Sequence, residues 1–425
     1  MSLTEVKPTP NERALPWWTW VVGLLILHIA SQISVQFKID DGISAIYLPT
    51  AFGIILVNWW GPWRAVPMVY INAVLSSFLW EIPEVSNWFI FSFPEAFMVL
   101  ISWYLFSYKA KGEYWLPDIR NLLLFLLLGI IIPIIPELLT LQSLFILFGG
   151  HAVESFSFEF LRNCLGEFTS SFGVSLLVLY FITPFMSKMG LTRYPVKTYS
   201  RKIMLTRLQW IELTSIAILL LVFVFTIDFR SYWFVYGVFS LYSAIRFGFG
   251  IAVVTNFYIY LITYILPSLL PEYKFMDLRN DKDIVEIFLG ISVLYVFAAV
   301  VGRVISDLVA IERKLKRRNE DLEVANVEMD RFVYSVSHDL SAPLKSILGL
   351  VNVSKFDTSA SIEYFNKIEK SVNKMEAFIN EILDYSRNKR LTITLEQIKL
   401  KELCTEILDN LKYTDGFQSI QFDFS

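Results

Sequence analysis

Apolar residues fill long blocks between positions 17 and 306, and polar residues dominate from 307 onward. A helix needs about 20 apolar residues to cross the hydrocarbon core of a bilayer. Ten segments meet that measure: 17–37, 43–60, 64–82, 87–107, 120–148, 158–186, 210–227, 231–247, 249–268 and 284–306. The fifth and sixth are overlong, and Pro133 and Pro136 are placed to kink or break the fifth. Eight spans leave the topology unchanged if two segments are re-entrant or interfacial.

Past the last block the period changes. Val304, Leu308, Ile311, Leu315, Arg318, Leu322, Ala325, Met329, Phe332 and Val336 follow one another in steps of four and three. That is a heptad seam with one charge, Arg318, and the positions between are mostly charged or polar. It predicts a helical stalk whose stripe a parallel homodimer buries. The stripe runs on through Leu340, Leu344, Ile347, Leu348 and Val351. A turn is expected at about 354–361, then a second amphipathic helix over 362–387 with Ile362, Phe365, Ile368, Val372, Met375, Ile379, Ile382 and Leu383 on one side. Two such stripes in a helical hairpin need a second copy, which makes a four-helix bundle.

Composition agrees with a membrane chain. The sequence is 55% hydrophobic with mean hydropathy +0.51, too apolar for an ordinary soluble protein. The first sixteen residues lack the pattern of a cleaved signal, so the first block is expected to stay as a span. Basic residues (Arg13, Arg64, Lys109, Lys111, Arg120, Lys188, Arg193) fall in alternate loops, and acidic ones (Asp40, Asp41, Glu81, Glu84, Asp228, Asp281) in the others. Because Lys and Arg collect on the cytoplasmic side, both termini are expected in the cytoplasm. The net charge of −3 argues neither for nor against nucleic acid, but no basic patch is interleaved with aromatics, so no nucleic-acid partner is expected. Cys164 and Cys404 are far apart and in no Cys/His spacing, so neither a disulfide nor a metal site is indicated.

Several ionisable residues fall inside the apolar blocks: His28, Glu95, Glu137, Arg162, Glu167 and Glu212. Such groups are costly in lipid and are expected to face the bundle interior or a water-filled cavity. Glu95, Glu137 and Glu167 are the candidates for a ligand or ion pocket. The structural alternative pairs Arg162 with an acid on a neighbouring span and leaves Asn163 and Glu167 one helical turn apart. His28 is expected to be a hydrogen-bonded interior residue, and the tryptophan clusters at 17–20 and 59–63 to mark interfacial belts.

Two resemblances follow from quoted stretches. "YLPTAFGIILVNWWGPWRAVPMVYINAVLS" (Tyr47 to Ser76), "FLRNCLGEFTSSFGVSLLVLYFITPF" (Phe160 to Phe185) and "SAIRFGFGIAVV" (Ser243 to Val254) resemble the first MASE-type membrane-associated sensor family. That resemblance implies an integral sensor input over about 17–307, usually fused to a signalling output; the family's ligands are mostly undefined, and a small molecule or a membrane protein are the candidate signals. "SHDLSAPL" (Ser337 to Leu344) resembles the H-box of the HisKA dimerisation and phosphoacceptor domain of sensor histidine kinases. It implies a protein histidine kinase in which His338 takes the γ-phosphoryl group of ATP, Asp339 acts as orienting base, and Pro343 bends the helix. The phosphoryl group then passes to an aspartate of a response-regulator receiver domain. An imidazole is largely neutral near pH 7, with a nitrogen lone pair to offer. Family members with strong phosphatase activity carry Thr or Asn where this chain has Ala342, so efficient dephosphorylation of the partner is not expected.

The segment 391–425 is expected to run strand, helix, strand, like the opening of a Bergerat-type ATP-binding domain, without the N-box or Gly-rich loops. ATP and magnesium are therefore expected only for a complete kinase, with a catalytic lobe supplied from elsewhere. The expected fold is mostly α. Residues 1–16 form a cytoplasmic segment, 17–306 a polytopic bundle, 307–330 a coiled-coil signalling helix, 331–390 the phosphoacceptor hairpin, and 391–425 the start of the α/β lobe. The alternative is a transporter or channel with a dimerising cytoplasmic tail.

Overall fold

The computed structural model describes residues 12–40, 43–44, 46–82, 84–148, 156–196, 205–227, 229–266, 281–355 and 361–388. It forms two compact units, Met1–Leu315 and Lys316–Ser425. The described residues are overwhelmingly helical, and the segment from 391 onward lies outside them.

Every apolar block contains helix. The first unit begins with α1 (Thr19–Val35), a two-stranded antiparallel ribbon of β1 (Lys38–Asp40) and β2 (Ile43–Ser44), α2 (Leu48–Trp60) and α3 (Pro62–Ser76). The block expected to be helical from 43 starts instead at Leu48, where Pro49 sets the first turn. A single residue separates α2 from α3. Gly61 takes φ +83°, a conformation costly for any side chain, and Pro62 opens the next helix. With 13 residues α2 is about 20 Å long, short of a bilayer core of about 30 Å.

Next come α4 (Val85–Phe91) and α5 (Phe93–Ser102), the latter running into a π-helical stretch, Trp103–Lys109. Asp118 caps α6 (Ile119–Leu124) by accepting from the Asn121 amide at 2.9 Å. The chain then passes through a second π-helical stretch, Phe125–Ile131, into α7 (Ile132–Phe148). The prolines of this block do not break it. Pro133 has no amide to offer the Gly129 carbonyl, which takes a hydrogen bond from Ser102 Oγ at 2.5 Å instead. The sixth block divides at Pro184 into α8 (Phe156–Phe181) and α9 (Thr183–Lys188).

The unit is completed by α10 (Arg207–Thr226), α11 (Phe229–Phe247), α12 (Phe249–Tyr260) and the first part of α13 (Asp281–Ser354). A capping box of Thr206 and Gln209 starts α10. Gly248, at φ +79°, repeats between α11 and α12 the one-residue reversal seen at Gly61. Packing is tight enough that Gly302 of α13 lies against the Phe249 backbone.

Polarity in this unit is inverted relative to a water-soluble protein. Thr19, Ser31, Ser34, Asn58, Asn72 and Ser76 are buried, while Val21, Leu25, Ile29 and Ile33 form an exposed stripe along α1. Only 6% of the most apolar window of α10 is buried. Among the described residues five helices are long and apolar enough to cross a membrane: Val85–Lys109, Ile119–Phe148, Glu159–Phe181, Arg207–Thr226 and Val285–Ser354.

The second unit contains the rest of α13 and α14 (Ser361–Asn388). α13 runs unbroken through Pro343, which deprives the Asp339 carbonyl of its usual helical donor. α14 is amphipathic, and its first turns carry a Lys367–Glu363 pair at 2.7 Å. That contact holds the Glu363 carboxyl below its usual range and raises the Lys367 amine.

Candidate functional site

His338 stands on the solvent-facing side of α13, with 73% of its side chain exposed and 50% of that of Asp339. The ring Nδ1 lies 3.0 Å from Asp339 Oδ1. An ionised carboxylate only accepts, so Nδ1 carries the proton and donates it. Nε2 then holds the lone pair and is the nucleophilic atom. The helix explains the geometry. Seam positions Phe332 and Val336 are half-buried, and two residues further on the chain has turned His338 away from that stripe. Ser341 Oγ donates to the Ser337 carbonyl at 2.6 Å, and Ala342, one turn past His338, offers only a methyl group.

Around this group the apolar stripe is open. Leu308, Ile311, Leu315, Leu322 and Met329 are all more than half exposed, and Ile362 and Phe365 of α14 are as exposed again. Burying such side chains is worth about 1.5–3 kcal/mol each, so the face calls for a covering surface.

A second group of reactive side chains lies inside the bundle. Glu95 of α5, Glu137 of α7 and Glu167 of α8 are 6%, 3% and 7% exposed. Helices distant in the chain bring them together. Glu137, Glu167 and Glu95 lie within electrostatic reach of one another. Tyr47 Oη donates to Glu95 Oε2 at 2.7 Å. One oxygen of each acid (Glu95 Oε1, Glu137 Oε2 and Glu167 Oε1) is buried without a hydrogen-bonding partner. Each such atom forfeits about 1–3 kcal/mol. Arg162 contacts its neighbour Asn163 at 3.4 Å, and among the described residues none of the three acids has an ion-pair partner. Glu212 lies apart, bonded by the Tyr242 hydroxyl and 3.6 Å from Arg246. His28 is half-buried beside Gln32 Nε2 at 3.4 Å.

Residue pattern alone does not single out a third arrangement, at the end of the tenth apolar block. Arg303 is paired with Asp307 one turn on, at 2.5 Å, and its guanidinium sits over the Phe249 ring at 5.2 Å. Asp307 Oδ2 also accepts from the Ile119 amide at 2.9 Å, and Ser306 Oγ from the Phe249 amide at 2.9 Å. Three side chains of α13 thus tie it to the start of α6 and to the Gly248 reversal. The i, i+4 opposite charges are visible in the sequence, but the amides they reach lie far away along the chain.

Residues 328–390 match the His Kinase A (phospho-acceptor) domain family. The chain is 37% identical over 130 residues to the methanogenesis regulatory histidine kinase FilI of Methanothrix harundinacea, covering 28% of this chain and 15% of that protein. It is 32% identical over 103 residues to cyanobacterial phytochrome B of a Nostoc species, covering 23% and 14%. It is 30% identical over 125 residues to the signal transduction histidine-protein kinase BarA of Escherichia coli, covering 25% and 14%. The matches thus span a small part of the curated relatives' own length. No solved structure matches the chain. The domain match and these relatives support a histidine kinase of two-component signalling.

Proposed function

We propose that this chain is the sensing and phosphoacceptor part of a membrane sensor histidine kinase, with His338 as the phosphorylated residue. One observation carries this reading. In the segment matching the phosphoacceptor family, the single histidine is exposed, and an adjacent carboxylate holds its Nδ1 proton.

Nε2 of His338 attacks the γ-phosphorus of ATP. The N–P bond forms as the bond from phosphorus to the β,γ-bridging oxygen breaks, and ADP leaves. Positive charge growing on the ring is relieved through Nδ1–H, whose proton shifts to Asp339. The phosphoramidate then passes to an aspartate of a response-regulator receiver domain. The nucleotide and its magnesium ion belong to a catalytic lobe, and no residue described here is assigned to hold them. Ala342 cannot orient a water molecule, so the chain is a poor phosphatase.

Upstream, we assign 17–306 to a MASE-type sensor of ten spans, or eight if α2 and α3 form a re-entrant hairpin. Its exterior faces lipid in the bacterial inner membrane, with both termini cytoplasmic. The heptad seam and the hairpin of α13 and α14 pair with a second copy, giving a coiled coil and a four-helix bundle. Arg303, Ser306 and Asp307 hold the root of the signalling helix to the sensor.

The test is phosphorylation of detergent-solubilised protein by γ-labelled ATP and a matching catalytic lobe. Acid-labile label is expected on the wild type and absent from His338→Gln. Asp339→Asn is expected to slow labelling about 100-fold, as for loss of a general base. Undiminished labelling of His338→Gln would overturn the assignment.

A further inference from the structure

We propose that Glu95, Glu137 and Glu167, together with the hydroxyls of Thr50 and Ser171, form a binding site inside the helix bundle for a small cation that donates hydrogen bonds. The chemistry is positive charge carried on N–H or O–H, supplied as protons from water or as a protonated amine.

The argument has two independent parts. The first is the acids. Three carboxyl groups from three helices are buried together, each with one oxygen unpartnered. Glu137 and Glu167 lie close to each other, and two ionised carboxylates would repel there. The titratable groups facing the trio are Tyr47 and Cys164, neither of which supplies positive charge. Charges of one sign cannot stay buried unpaired, so something positive enters with them.

The second part is the hydroxyls. Serine and threonine inside helices usually bond back to the carbonyl four residues earlier. Thr169 and Ser170 do so at 2.7 and 3.0 Å, and Ser175 bonds to the Ser171 carbonyl. Ser171 and Thr50 do not. Both are fully buried; the Ser171 hydroxyl has no hydrogen-bonding partner, and that of Thr50, in the first turn of α2, has none in its own helix and turns to Glu167. Thr50 faces Glu167 from α2, and Ser171 lies one turn past Glu167 on the same face of α8. These two hydroxyls and the three carboxyl groups lie on neighbouring helices in one buried region.

This site deepens the sensor reading but does not depend on it, because binding is measured without phosphorylation. The full chain in lipid nanodiscs is titrated with acid and, separately, with methylammonium chloride. Infrared difference spectra report protonated carboxyl groups, and thermal unfolding reports ligand binding. If protons are the ligand, carboxylic-acid bands are present at neutral pH and weaken in Glu137→Gln and Glu167→Gln, and methylammonium has no effect. If an amine is the ligand, methylammonium raises the unfolding midpoint and displaces those bands. Thr50→Val and Ser171→Ala, which keep every charge, then weaken its binding about 10-fold. In either case His338→Gln behaves like the wild type. Fully ionised carboxylates with no response to methylammonium in the folded wild type would overturn the proposal. His338→Gln that binds normally but still accepts label would instead sink the kinase reading alone.

Discussion

The bundle and the tail helices are built on opposite plans. In the first unit hydroxyls, amides and carboxylates are buried among a large apolar core, and further Leu, Ile, Phe and Trp side chains face outward. In the second, charged residues face water and a narrow apolar stripe lies open among them. Their reactive groups differ in the same way. The three glutamates are buried with no ion-pair partner, whereas His338 is exposed and its one partner is adjacent in the chain. An environment without water can hold groups that want a ligand. A nucleophile that must meet a separate catalytic lobe needs to be reachable. The contrast also shows what each unit leaves uncovered, an apolar surface on the bundle and an apolar stripe on the tail, which the proposed reading covers with lipid and with a second copy.

The largest expected effects break the tail side of this contrast. Leu322→Glu combined with Met329→Glu places four like charges in the paired seam and is expected to weaken dimerisation about 100-fold or more. Sedimentation in detergent checks it, and an unchanged dimer would show that another surface covers the stripe.

Next is the tie between the bundle and its exit helix. Asp307→Asn removes the charge that Arg303 and the Ile119 amide both use. The pair is only partly buried, so about 2 kcal/mol of stability is expected to go, below the 3–5 kcal/mol of a fully buried pair. Thermal unfolding measures this, and a response of labelling to the stimulus should fall with it. A smaller loss, about 1–2 kcal/mol, is expected for Gly248→Ala, because alanine resists φ +79°. Its added methyl also meets Ser306, so hydrogen exchange at the Phe249 amide should rise.

The smallest effect belongs to the exposed Glu363–Lys367 pair. With the Glu363 carboxyl depressed, its contribution is present above the ordinary carboxylate pKa and fades as pH falls through the lowered one. The raised Lys367 contribution is present below the ordinary lysine pKa and fades as pH rises through the raised value. Lys367→Met should leave neutral-pH unfolding unchanged within error, since exposed pairs are screened by water and salt. A clear loss would mean that the pair is covered in the assembled protein.

Much of this molecule is legible in local pattern. Apolar blocks of bilayer length, heptad steps and a His–Asp pair beside a proline need only neighbouring residues, and helices satisfy their own backbone. The helical blocks, the unbroken helix from Asp281 to Ser354 and the start of α14 at Ser361 can all be read that way. Even so, local pattern misplaced the start of α2 and missed both the β1–β2 ribbon and the π-helical stretches. There the outcome depends on where freed carbonyls find donors, as Gly129 does in Ser102. The meeting of Glu95, Glu137 and Glu167, the approach of Thr50 to Glu167, and the reach of Asp307 to Ile119 were decided by tertiary structure alone. Those contacts join side chains to groups many turns away along the chain, and no periodicity records which helix faces will meet.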